Sequence, residues 1–433
     1  MVSVLLKATR MAVAILLLTT LSACVTYEYH ETRSNHLSKA DPNAAEQLDS
    51  RVYNQSLLDV GVVLFGDGVD LLDDDSVAYA NVRRSEAVWF TEQLKQTIDN
   101  SNAWGLVRTL PNNNIVFDLI VEGTIIDSTG EDLALQIKAY DSTGVQWLSK
   151  DYFEKVSQYA YNPEITLNRD PFQNIFNEIA NDLFELRSQR DNTKLLTIRE
   201  VSKLRFAKEF APQVFDSFVH LGDGDIYQVH RLPADNDPMI ERVEQIRARN
   251  DLFLDVLQDY YRVFQNNMSN PYNEWRKISY KDVVYQRQLA KKAQQERIAG
   301  LAIVASGVLA ATGNNSSATR AAGSVGIGVG ASLFQESYGT ADEASLHAEA
   351  LREYGESLEV ELEPSVIDLR ERSVTLTGTV EDQFKEWKRI LQEMFDAEQA
   401  ILNPDIDTFK VEGSQSKLET NDVIKASELA QKK

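Results

Sequence analysis

The residues of this chain that could carry chemistry are few and widely spaced. Cys24 is the only cysteine, which excludes an internal disulfide and a cysteine-rich zinc site. The five histidines, His30, His36, His220, His230 and His347, include no His-x-x-x-His pair. The loop GDGVDLLDDDS gathers Asp67, Asp70, Asp73, Asp74 and Asp75, oxygen ligands of the kind calcium takes. Its spacing is not that of an EF-hand, and a solvated acidic loop is the competing reading. Asp223 with Asp225, and Asp235 with Asp237, are weaker versions of the same pattern. No phosphate loop and no Gly-x-Ser-x-Gly elbow occurs, and Gly323, Gly326, Gly328 and Gly330 do not fit the dinucleotide fingerprint. Carboxylate pairs for glycoside hydrolysis need only be neighbours in space, so 66 acidic residues leave that chemistry open. No cofactor and no metal site is expected.

The position of Cys24 is more telling than its type. A short basic stretch with Lys7 and Arg10 precedes the apolar run MAVAILLLTTLSA, and small residues lead to the cysteine. That order is a signal peptide over 1–23, and the apolar run is short for a spanning helix. Leu21-Ser22-Ala23-Cys24 resembles the bacterial lipobox. The resemblance implies that the Cys24 thiol receives a diacylglycerol, that the signal is cut before it, and that the new amine is acylated. One acyl chain anchors weakly, whereas two or three hold a protein firmly. Val25 follows where an Asp would retain the protein at the inner membrane, so the resemblance implies a periplasm-facing, lipid-anchored position on the outer membrane. Cleavage would remove two cations and no acid, taking the net charge from −22 to about −24. Such a charge disfavours nucleic acid as a partner.

The elements that must position any site are legible as periodicities. Residues 24–56 are polar and aperiodic, a tether. The run LDVGVVLF from Leu58 predicts a strand. Ala87, Phe90, Leu94 and Ile98 then share a helical face. Phe117, Leu119, Val121 and Ile125 alternate, as do Leu133, Leu135, Ile137 and Ala139, and DSTG turns at 127–130 and 141–144 make these a meander of hairpins. Asp170 is placed to cap a helix with Pro171 at its first position. The order predicts an α+β domain over 57–190. Residues 191–272 read as helical, broken by the loop HLGDGDIYQVHRLPADNDP. Residues 358–402 read as a β-hairpin–helix unit, and 403–433 as a disordered tail.

The domain over 57–190 resembles the N-terminal domain shared by TolB-type periplasmic proteins and the curli-export lipoprotein family. The stretches that carry it are LDVGVVLF, NAWGLVRTLP, FDLIVEGTI and LQIKAYDSTGVQWL. The resemblance implies an envelope assembly or secretion role and brings no catalytic motif.

Residues 273–357 read as a helical hairpin with an apolar tip over 298–334. IAGLAIVASGVLAATG and AAGSVGIGVGASLF flank the polar turn NNSSATR, and neither run reaches a membrane-spanning length. Ala322, Gly326 and Gly330 form a small-x-x-x-small row suited to close backbone approach. A basic arm with Lys291 and Lys292 would run beside an acidic return arm with Glu349, Glu353 and Glu356. Internal packing, self-association and membrane contact all remain open for the tip. Taken together, the sequence describes a non-enzymatic envelope scaffold, or assembly and secretion accessory, with protein partners or self-association. Its alternatives are a subunit of an oligomeric outer-membrane export channel and an envelope hydrolase.

Overall fold

A computed structural model describes residues 36–41, 56–71, 77–162, 164, 169–234, 236–310, 352–353, 362–368 and 373–402. The architecture is mixed α+β. Strand β1 (Val60–Val63) lies between β2 (Val107–Leu110) and β3 (Leu119–Ser128), parallel to both. β4 (Asp132–Asp141) and β5 (Gln146–Lys155) continue the sheet in antiparallel fashion, giving the order β2-β1-β3-β4-β5. The predicted meander is therefore present as β3-β4-β5, and helix α1 (Val77–Asp99) makes the parallel crossover from β1 to β2. Leu119, Val121, Ile125, Leu135, Ile137 and Ala139 are all fully buried, as expected for the covered face of a sheet with alternating side chains.

Helix α2 (Gln173–Ser188) packs on α1 and β5 and buries Phe176, Ile179 and Leu183. It begins two residues later than its sequence suggests. Asp170 and Pro171 form a turn ahead of it, in which the Phe172 amide donates to Asp170 Oδ1 at 2.9 Å. The carboxylate of Glu154 on β5 then receives the first-turn amide of Ile175 at 2.8 Å and the Asn174 side chain at 2.8 Å. A strand side chain thus satisfies a helix terminus that Phe172 has no side-chain acceptor to cap.

Helix α3 (Asn192–Phe210) starts on Asp191, whose carboxylate accepts from the Lys194 amide at 2.9 Å. A single turn, α4 (Pro212–Phe215), leads to a small hairpin of β6 (Val219–Leu221) and β7 (Tyr227–Val229), inside the segment expected to be loop. Helix α5 then runs without interruption over Pro238–Ala310, 73 residues, about 110 Å at 1.5 Å per residue. It crosses the expected boundary between 272 and 273 without a break. Pro271 sits inside the helix, where a proline removes one hydrogen bond and costs about 3 kcal/mol in isolation. Its neighbours Met268, Tyr272 and Trp275 are all buried, and their packing offsets that cost.

The antiparallel pair β8 (Leu362–Asp368) and β9 (Ser373–Gly378) precedes helix α6 (Val380–Leu402), as expected for the C-terminal unit. Thr379 and Asp382 cap α6 reciprocally: the Thr379 hydroxyl donates to Asp382 Oδ2 at 2.8 Å and accepts from the Asp382 amide at 3.2 Å. The expected tether is partly docked. Leu37 and Ala40 pack against the core, the Ala40 amide donates to Ser101 O, and Asn181 brackets the backbone at His36 and Ser38.

Candidate functional site

A group of buried polar residues gathers at the seat of α5 on the sheet domain. Three layers of contact build it. Nearest the start of the seat, Gln258 lies beside β2, the edge strand. Its amide accepts from the Thr109 N–H at 2.8 Å and donates to the Thr109 carbonyl at 2.9 Å, so a side chain pairs with the edge where another strand would. One and two turns earlier, Asp255 and Asp251 hold Arg108 of β2, each at 2.8 Å.

The middle layer is deeply buried. Arg276 and Asp170 form an ion pair at 3.0 Å with side-chain exposures of 1% and 5%. Asp170 also accepts from the Trp89 indole at 3.2 Å, and the Arg276 guanidinium lies 4.3 Å from the Tyr272 ring centre. Burial opposes the charge on Arg276, but Asp170 and the neighbouring tyrosines outweigh it and hold the guanidinium protonated. Glu86 of α1 accepts from the Tyr272 hydroxyl at 2.8 Å and from the Ser128 hydroxyl at 2.7 Å. Burial, reinforced by Glu86, pushes the Tyr272 phenol well above its ordinary range. Ser128 reaches this layer because β3 carries a bulge between Ile125 and Asp127. Up to Ile125 the odd-numbered residues are buried; after the bulge Ser128 faces inward instead.

The third layer is the β3–β4 turn. Gly130 there lies directly on the α5 backbone: a Cβ would overlap the Arg276 carbonyl oxygen and the Tyr280 backbone. Its amide donates to the Ser279 hydroxyl at 3.2 Å, and its carbonyl accepts from Tyr161. Beyond it, Arg287 of α5 pairs with Glu131 and Asp132, which Lys155 also engages. Lys291 and Lys292 follow and are exposed.

A polar cleft of about 650 Å³ opens beside this seat, between α1, α5 and the segment leading to α2. Two further clefts lie between α3 and the first turns of α5. The smaller, about 330 Å³, contains Asp118, whose carboxyl is pushed up by burial and by nearby Asp59. Asp59 also meets Arg199, at 3.5 Å. On the β6–β7 hairpin, His220 and His230 stack with ring centres 4.1 Å apart.

Cys24, Leu21, Ser22 and Ala23 lie outside the described residues, as do Gly326, Gly330, the return arm of the hairpin, the tail and Asp73–Asp75. Asp67 is committed locally, accepting from the Val69 amide at 3.1 Å. Asp237 caps the start of α5 by accepting from the Met239 amide at 2.8 Å, and Asp235 is outside the described residues. Asp223 and Asp225 sit in a tight turn with Gly224 between them. Among the described residues no cluster of three or more His, Cys, Asp or Glu could hold a metal ion. No described helix is long and apolar enough to cross a membrane.

Sequence reasoning missed Glu86, Gln258 and Arg276. On a helix such residues read as a solvated face, and only the sheet they meet reveals otherwise. Gly130 had a signal, its place in a turn, but its close approach to a helix had none. No protein-family model, no curated protein and no solved structure matches this chain.

Proposed function

We propose that this chain is a non-enzymatic envelope scaffold, anchored by acylated Cys24 on the periplasmic face of the outer membrane, that presents α5 to protein partners as a rigid arm. The observation that carries this reading is the continuity of α5, which passes from a buried polar seat straight into the apolar run at 298–310. From Arg287, the last residue of the seat, the helix continues 23 residues to Ala310, about 35 Å. A lever seated in this way transmits position, and it needs no catalytic group to do so.

Two further features support the reading. The docking of 36–41 leaves eleven residues, 25–35, between the lipid-bearing cysteine and the body. Fully extended, they reach at most about 40 Å, so an acylated Cys24 would keep the sheet domain close to its membrane. The order β1-α1-β2-β3-β4-β5-α2 is also the order on which the TolB-type and curli-export resemblance rests.

Photo-crosslinking in intact cells tests the arm. A photoreactive residue at Lys291 or Lys292 should give a discrete adduct that the same residue at Ser149 on β5 does not. An adduct with the mass of two chains would favour the oligomeric export channel instead. Equal labelling from both positions would remove the arm from the account. Lipid labelling tests the anchor: palmitate incorporation should vanish in Cys24→Ala, and label retained in that variant would contradict acylation at this residue.

A further inference from the structure

The cleft of about 650 Å³ beside the seat of α5 has an unusual lining for a protein of net charge −22. Six side-chain amides face it: Gln93 and Gln96 from α1, Gln173 from α2, and Gln265, Asn266 and Asn273 from α5. Its formal charges cancel, with Arg169 and Lys277 against Asp170 and Glu274. The apolar part of the lining consists of Trp89, Tyr161, Ala160 and Pro171, with no aliphatic side chain larger than these.

Part of this polar lining is satisfied internally. Gln96 donates to Gln265 at 2.8 Å, Gln173 donates to Thr97 at 2.9 Å, and Asn273 accepts from Arg276. Gln93, Asn266 and Ser269 have no side-chain hydrogen bond among the described residues, although Gln93 and Ser269 are half-buried. Trp89 and Tyr161 are held in place by bonds to Asp170 and to the Gly130 carbonyl. The cleft therefore combines fixed aromatic edges with unused groups that each donate and accept. Its volume falls within the roughly 300–1,000 Å³ range of small-ligand sites.

We infer that this cleft binds a neutral oligosaccharide segment. A sugar hydroxyl both donates and accepts, as an amide side chain does, so neighbouring hydroxyls pair with amides without any change of charge. An anionic ligand would need an excess of positive charge, whereas Arg169 and Lys277 are matched in the lining by Asp170 and Glu274, and Lys277 lies 3.8 Å from Glu274. A peptide would need pockets for apolar side chains, and the lining offers none.

The test uses the full chain in detergent, titrated by calorimetry with triacetylchitotriose, cellotriose and maltotriose, with tetraalanine as the peptide probe. The first sugar represents N-acetylated amino-sugar polymers and the other two represent unsubstituted glucans. Binding of at least one sugar is expected, weakened about tenfold by Gln93→Ala and by Ser269→Ala. Among the described residues neither side chain bonds elsewhere, so unchanged thermal unfolding should accompany the loss. Three results would overturn the inference: no sugar binding up to about 10 mM, equal affinity in both variants, or binding of tetraalanine alone. The outcome is independent of whether α5 acts as an arm.

Discussion

α5 is held by two clamps that differ in their polar content. Its first third meets α6 and α3 through apolar and aromatic surface: Phe253 stacks on Trp387 with ring centres 5.8 Å apart, and Val243, Ile246, Leu254 and Leu257 are buried alongside. Charges there stay at the margin, as in Arg249 with Glu398 at 2.8 Å and Lys388 with Glu209 at 2.9 Å. The sheet domain also buries aromatic surface of α5, with the Tyr272 and Trp89 ring centres 5.2 Å apart, but holds 251–287 in addition through Gln258, Tyr272, Arg276, Ser279 and Arg287, each bonded to a named partner. Apolar contact is non-directional and tolerates sliding, whereas a buried hydrogen-bonded pair is satisfied in one register only. The aromatic clamp accordingly supplies stability and the polar clamp sets where along its length the helix sits.

The largest expected effects separate the two clamps. Trp387→Ala should destabilise the protein by about 3–5 kcal/mol through a cavity against Phe253. Arg276→Met should cost a similar amount, about 3–5 kcal/mol, because Asp170 is left buried without its cation. The difference lies in rescue. Asp170→Leu/Arg276→Met removes both charges and should recover most of that loss, but with an altered position of the helix. Chemical denaturation of the three variants measures this. If the double variant is as unstable as the single one, the pair does not work as an isolated ion pair.

A buried carboxyl outside both clamps gives the pH baseline. Burial pushes Glu154 up to about 7, although the Ile175 amide and Asn174 bond to it. Between the ordinary carboxyl value of about 4.5 and 7, the folded protein keeps a proton that the unfolded chain releases. Its contribution therefore favours folding below that window and is lost as pH rises through it, by on the order of 3 kcal/mol. Stability measured from pH 4.5 to 7 should fall more steeply in the wild type than in Glu154→Gln. Parallel curves would show that this carboxyl is not perturbed.

Gly130→Ala should have a smaller cost, about 1–3 kcal/mol, since one methyl must be accommodated between the turn and the α5 backbone. Its effect should fall on the polar clamp alone. Hydrogen exchange should accelerate around Ser279 and Arg287 and remain unchanged around Phe253. Uniform acceleration along α5 would mean that the two clamps are not separable.

Much of the sheet domain was legible because period-two alternation from Phe117 to Ala139 is a local signal, reinforced by DSTG turns. The bulge after Ile125 left no such signal, so the inward turn of Ser128 was missed. The continuity of α5 through Pro271 was not legible either, because it depends on tertiary packing at Met268 and Tyr272. The polar clamp was not legible at all: Glu86, Gln258 and Arg276 acquire partners more than 40 residues away in sequence, which no periodicity records. The candidate residues with a local signature, Cys24, Gly326 and Gly330, are outside the described residues.

The central claim is that α5 leaves the sheet domain in a fixed direction. Cys24 is the only cysteine, so a Cys24→Ser background permits spin labels at Ser149→Cys on β5 and Lys291→Cys just beyond the seat. Pulsed electron paramagnetic resonance then reads the distance between them. A single narrow distribution is expected, broadened by Gly130→Ala. A broad distribution in the otherwise unaltered chain would contradict a rigid arm.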